Sequence, residues 1–124
     1  MAVDIPAAPE EVWEDVRHIE RHVEWMADAV AIRFTSPTTF ECDTKIGPFR
    51  TTDVMEITEW DEGRAIGVRH VGLVTGEGRF TLAPVGTGTR FTWDEELRLP
   101  GVAAPVLRWV WRRNLRRLRA RFAA

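Results

Sequence analysis

The chain has 124 residues, is 44% hydrophobic and carries a formal net charge of −2. This composition excludes a disordered polymer and bounds the chain to one domain, residues 1–124, with a single core and little spare volume. The longest apolar run, near Val102 to Leu107, contains a proline and is too short to span a bilayer. No basic-then-apolar segment opens the sequence, so a cytoplasmic location is expected. Cys42 is the only cysteine, which leaves no internal disulfide.

Val3 and Ile5 end a short first strand that runs into Pro6-Ala7-Ala8-Pro9. Pro9 suits a first helical turn, and Glu10 and Glu11 complement the positive end of the helix dipole. Val12, Trp13 and Val16 form an apolar stripe at helical spacing, and a second short turn closes at Trp25-Met26. The period then changes to two. Val30, Ile32 and Phe34 alternate with polar or small residues up to Ser36-Pro37, and Phe40, Cys42, Thr44 and Ile46 alternate up to Gly47-Pro48. Further strands are expected over Phe49–Trp60, Arg64–Val71, Gly76–Val85 and Gly88–Leu99. They are joined by turn chemistry at Asp61-Glu62-Gly63, Gly72 to Thr75 and Gly86-Thr87-Gly88, and Pro100-Gly101 ends the last. From Val102 to Phe122, Leu107, Trp111, Leu115, Leu118 and Phe122 mark one face of an amphipathic helix.

The segment Ile5 to Met26, with Pro9, Glu11, Val12, Trp13, Glu20, Arg21, Glu24 and Trp25, resembles the N-terminal signature of the START/polyketide cyclase–dehydrase (SRPBCC, Bet v-like) superfamily. The stretch Gly86 to Gly101, GTGTRFTWDEELRLPG, resembles its last-strand signature. The resemblance implies an α+β helix-grip fold. A curved antiparallel sheet of six to seven strands would wrap around a long C-terminal helix, with two short helices after strand 1. The first strand is expected to be shortened. The resemblance also implies an apolar cavity that holds a lipid- or polyketide-like molecule.

Alternation nominates the cavity wall: Ile32, Phe34, Phe40, Met55, Ile57, Val68, Phe80, Leu82, Phe91 and Trp93 from the sheet, roofed by Leu107, Trp111 and Leu115 from the helix. The same phase turns His70, Glu95 and Asp53 inward. A buried charge costs several kcal/mol unless paired, so these positions call for partners or a wet pocket. A His70–Glu95 pair suits general base catalysis of enolisation, cyclisation or dehydration. The competing reading places these residues at strand ends or bulges that turn them to solvent.

Other chemistries find little support. His18 and His22 share a helix face but lack a third ligand, so no metal is expected. Cys42 reads as a small core residue. The single serine, Ser36, precedes a proline in a turn, which argues against a Ser-His-Asp hydrolase. GEG and GTG read as hairpin turns, so no nucleotide cofactor is implied.

Charge is distributed unevenly, with a net of −10 over residues 1–62 and +8 over residues 63–124. Seven arginines lie between Arg108 and Arg121. This supports either a solvated helix face set against acidic strands of the same domain, or an interaction module for a membrane surface or protein partner. Nucleic acid is not expected, because the basic stretch lacks interleaved exposed aromatics or a reading motif. The expected function is binding or carriage of a hydrophobic small molecule, with cyclase or dehydratase activity as its enzymatic form. The alternative is the interaction module. The oligomeric state is left open.

Overall fold

A computed structural model describes residues 1–72, 75–98 and 104–123. Seven strands follow one another as β1 (Ala2–Ile5), β2 (Ala29–Phe34), β3 (Thr39–Ile46), β4 (Phe49–Asp61), β5 (Ala65–Val71), β6 (Thr75–Val85) and β7 (Gly88–Arg98). Between β1 and β2 lie α1 (Pro9–Val16) and a 3-10 helix (Ile19–Glu24), and after β7 comes α2 (Ala104–Ala120). The strand order is β1-β7-β6-β5-β4-β3-β2, antiparallel throughout, so β1 and β2 form opposite edges. The chain therefore has to cross from one edge to the other, and α1 with the 3-10 helix makes that crossing. The result is the curled α+β helix-grip sheet expected from the sequence. The turn at Pro100-Gly101, the Val102 start of the predicted helix and part of the Gly72–Thr75 connection lie outside the described residues.

Local chemistry accounts for the element boundaries. Pro9 opens α1 behind an extended Ala8, with Glu10 and Glu11 in the first turn. Two-residue turns at Gly47-Pro48 and Gly86-Thr87 close the β3–β4 and β6–β7 hairpins. Gly47 and Gly86 adopt φ of 57° and 58°, a region that side chains with a Cβ resist. β1 is four residues long and pairs with β7 from Ala2↔Thr92 to Ile5↔Thr89.

The core lies between the sheet and the helices. Trp25, delivered by the 3-10 helix, is almost wholly buried. Its ring stands 6.0 Å from that of Phe80 and 6.2 Å from those of Phe91 and Trp93. Offset and edge-on rings of this kind add to the apolar area they remove from water. α2 buries Leu107, Val110, Leu115 and Leu118 on one face, and Asn114 falls in the same stripe, fully buried. Asn114 Oδ1 accepts from the Ala27 amide at 2.9 Å, and its Nδ2 donates to Asp28 Oδ1 at 2.5 Å. One amide side chain thus ties the helix to the turn that leads into β2.

The arginines of α2 divide into two groups. Arg121 donates to Asp15 at 2.8 Å and lies 3.5 Å from Glu24, Arg117 reaches the Glu24 carbonyl, and Arg119 reaches the Asp4 carbonyl. The acids that receive Arg121 belong to α1 and the 3-10 helix rather than to the strands. Arg108, Arg112, Arg113 and Arg116 form no ion pair within 4 Å among the described residues. The outer face of the sheet carries cross-strand pairs such as Arg69–Glu56 and Arg79–Glu59, each worth little in water.

Asn114→Ala is expected to cost about 2–3 kcal/mol, because it leaves a buried amide and carboxylate short of partners. The check is a shifted urea midpoint at unchanged slope.

Candidate functional site

Beneath α2 the inner face of the sheet encloses a cavity of about 100 Å³. Its walls are mainly apolar: Ile32, Phe40, Met55, Val68, Phe80 and Trp93 from the strands, and Leu107 and Trp111 from the helix. Ile19 and Met26 close it from the connecting segment, and Ile46, Ile66 and Leu97 complete the strand side. Sites for drug-sized ligands occupy roughly 300–1,000 Å³. This cavity therefore accepts a single ring or a short branched group, and a larger molecule requires Trp111 or Leu107 to move.

Five residues predicted for the wall or its roof lie elsewhere. Phe34 is 41% exposed and packs on Phe40 with ring centres 5.3 Å apart. It shares the inner phase, but it is the last residue of edge strand β2, beyond the cavity. Phe91 is fully buried and stands 5.1 Å from Phe80, in the core behind the cavity. Ile57, Leu82 and Leu115 likewise belong to the core packing.

The polar residues gather at one part of the wall. The register sets His70 opposite Met55, and Asp53 opposite Cys42. Glu95 on β7 lies opposite Gly78 on β6, which in turn lies opposite Val68 on β5. His70 Nε2 is 2.8 Å from Glu95 Oε1, and the Trp93 indole donates to Glu95 Oε2 at 3.1 Å. Indole N–H is only a donor, so Glu95 accepts there. With Glu95 ionised, His70 Nε2 carries the proton and Nδ1 presents its lone pair. Both side chains of the pair are more than nine-tenths buried.

Gly78 makes this arrangement possible. A Cβ built at Gly78 would overlap Glu95 Oε2, so the carboxylate lies where a side chain would otherwise stand. The alternation points Glu95 inward but carries no sign that its partner strand clears the space.

Asp53 accepts from Thr44 Oγ1 at 3.2 Å through Oδ2. Burial, opposed by the nearby His70 and the Thr44 hydroxyl, raises its pKa above the ordinary carboxylate value. Asp28 also lines the cavity, through the Asn114 contact described above. The sequence pattern marks neither Asp28 nor Asn114. Asp28 precedes a strand and Asn114 sits in an arginine-rich run, so neither falls on a strand alternation. Cys42 is buried beside Thr44, and burial pushes its thiol up to about 12, which leaves it un-ionised at neutral pH.

His18 and His22 diverge. His18 stands outside with Nε2 3.5 Å from Glu14, whereas His22 is buried and donates from Nε2 to the Val16 carbonyl at 2.8 Å. His22 also lines the cavity and packs between Trp25 and Phe80 at 5.1 and 5.6 Å. Desolvation dominates its surroundings and lowers its pKa to about 4, against the Val16 carbonyl, Asp15 and Glu20, which favour the charged form.

A family model described as polyketide cyclase/dehydrase and lipid transport matches residues 1–124. The chain belongs to this START-like family. Solved structures share its fold. A START superfamily protein from Mycobacterium smegmatis has 17% identity and a TM-score of 0.77, covering 98% of this chain and 94% of its own. XoxI from Bacillus cereus has 13% identity and a TM-score of 0.83, covering 98% and 92%. A protein of Thermus thermophilus has 20% identity and a TM-score of 0.75, covering 98% and 94%. Among curated proteins none matches. No helix among the described residues is long and apolar enough to cross a membrane.

The buried neutral His22 predicts a pH dependence. Its folded pKa lies below the ordinary 6.5, so the unfolded chain binds more protons between the two values. The stability involved, roughly 3 kcal/mol in full, is present above pH 6.5 and is lost as pH falls toward about 4. Urea unfolding at pH 7.5 and 4.5 checks this, and His22→Gln is expected to flatten the dependence. Gly78→Ala is expected to displace the Glu95 carboxylate and break its contact with His70. The imidazole resonances of His70 report that loss by NMR.

Proposed function

We propose that the chain binds a small apolar molecule in the cavity beneath α2, and that His70 and Glu95 move protons on that molecule. The observation that carries this reading is a buried histidine–carboxylate pair, in hydrogen-bond contact, set in a mainly apolar cavity wall. In a cyclase- or dehydratase-like reaction, His70 Nδ1 takes a proton from carbon or oxygen, and Glu95 holds the ring and stabilises the resulting imidazolium. Trp93, Phe80 and Trp111 keep the molecule near its reactive conformation and exclude water. Membership of a cyclase/dehydrase and lipid-transport family supports both enzyme and carrier forms of the reading.

A second observation favours surface contact as the route of loading. Trp109 is 61% exposed, with the Arg113 guanidinium 4.7 Å over its ring, and Val106 beside it is also exposed, so the arginine stretch does carry an exposed aromatic, contrary to the expectation from its sequence. An aromatic and an aliphatic side chain among arginines turned outward suit an anionic lipid interface.

Native mass spectrometry of the gently purified protein, followed by organic extraction, is expected to find a defined apolar adduct. If an apo mass persists even after incubation with candidate lipids and polyketides, the cavity reading is overturned. In an assay on such a substrate, His70→Ala and Glu95→Gln are each expected to lower turnover by about 10²–10⁴. Unchanged turnover in both removes the proton-transfer role and leaves binding alone. For the surface route, cosedimentation with anionic vesicles is expected to fall steeply with salt. It is also expected to be lost in an Arg108→Glu/Arg112→Glu/Arg116→Glu variant.

A further inference from the structure

Two buried polar atoms on the cavity wall have no hydrogen-bond partner among the described residues: Asp53 Oδ1 and His70 Nδ1. Asp53 is 8% exposed and His70 7%, so neither residue relies on bulk solvent. The other polar atom of each side chain is already engaged, Asp53 Oδ2 by Thr44 and His70 Nε2 by Glu95. Orphaned polar atoms this deep are uncommon, because each forfeits a hydrogen bond it makes in water. Both atoms are acceptors when Glu95 and Asp53 are ionised and His70 is neutral.

The charges around them have one sign. Asp28, Asp53 and Glu95 all line the cavity. Arg79 is the one arginine bordering the described wall, and its half-exposed guanidinium is turned to the outer face of the sheet and bound to Glu59 at 2.7 Å. An organic carboxylate entering here meets three acids and no uncommitted cation. A hydroxyl or amine meets two acceptors that lack donors.

Resting on the cavity-binding reading above, we propose that the site selects small apolar molecules that carry a hydrogen-bond donor, a hydroxyl or an amine. A hydroxyl donates to one of Asp53 Oδ1 and His70 Nδ1, an amine has hydrogens for both, and molecules ending in a carboxylate are rejected. A donor placed on Oδ1 also relieves the unfavourable burial that raises the Asp53 pKa. A hydroxyl held at His70 Nδ1 is in place to give up its proton, so this selection and the proposed proton transfer use the same atom.

Four probes with one ring in common test the inference: toluene, benzyl alcohol, benzylamine and benzoate, titrated at pH 7 and followed by protein NMR. Benzyl alcohol or benzylamine is expected to bind about tenfold or more tightly than toluene, the gain from one buried hydrogen bond. Benzoate is expected to bind most weakly. The alcohol and amine arms separate a neutral donor from a cationic one. Toluene equal to both donors, or benzoate equal to or tighter than toluene, overturns the selection and leaves the cavity reading standing. No binding of any probe overturns both. Asp53→Val is expected to bring the ratio of alcohol to toluene affinity close to one. Asp53→Asn, which keeps the shape, is expected to remove any preference for the amine over the alcohol and to relax the rejection of benzoate. Preferences retained in both variants overturn the proposed seat.

Discussion

Glu95 stands on the inner face of β7, in the same alternation that turns Phe91 and Trp93 inward, so its carboxylate must find its partners inside the protein. Removing a carboxylate from water costs several kcal/mol unless donors replace the lost hydration. Three features meet that demand. Trp93 donates from two residues away along the same strand, His70 reaches across from β5, and Gly78 on the intervening β6 leaves room for the oxygens. The donors come from different strands, so the site exists only when the β5–β6–β7 register is correct. A slip of one residue would turn Glu95 to solvent and leave His70 facing an apolar wall.

The helix that covers this arrangement is held as much by polar as by apolar contacts. Leu107, Val110, Leu115 and Leu118 supply the buried stripe, but Asn114 determines where the helix stands relative to the turn before β2. Its partner Asp28 also lines the cavity. The position of α2 is therefore coupled to the electrostatics of the site: a shift of the helix disturbs an acid on the cavity wall. At the far end, Arg117, Arg119 and Arg121 tie the last turns to the 3-10 helix, β1 and α1. Asymmetry of charge between the two halves of the chain is thus partly an internal attraction, while Arg108, Arg112 and Arg116 remain exposed.

Most of the fold was legible in the sequence, because period-two and period-four apolar patterns and turn glycines report directly on the environment of each residue. The site was legible only in part. His70, Glu95 and Asp53 could be placed on the inner face by phase, but phase says nothing of distance, and the contact between His70 and Glu95 depends on a glycine on a third strand. Phe34 and Phe91 show the converse limit. Both have the inward phase, yet one lies past the end of the cavity and the other behind it, since alternation assigns a face and not a depth. Asn114 was hidden because a polar residue in an arginine-rich stretch reads as exposed, and its burial follows from helix phase alone. In β4 a register shift between Ile57 and Glu59 resets the alternation, so the phase near Asp53 does not carry through to Trp60.

Two buried histidines share this cavity wall, and their surroundings give them different chemistry. His22 faces a backbone carbonyl and two aromatic rings, and its burial outweighs the carbonyl and the nearby Asp15 and Glu20, so it stays neutral at pH 7, packs and donates one fixed hydrogen bond. His70 faces a carboxylate through one nitrogen and leaves the other without a partner among the described residues. The carboxylate supplies what His22 lacks, a hydrogen-bonded counter-charge for an imidazolium formed beside an apolar molecule. Family membership and fold are common to carriers and enzymes alike, so they do not choose between them. The choice lies in whether an open nitrogen backed by a buried carboxylate is used for binding alone or also for proton transfer. A carrier needs only the acceptor at Nδ1, whereas a catalyst also needs Glu95 behind the ring. Retention of binding with loss of turnover on replacing Glu95 is therefore the signature that separates them.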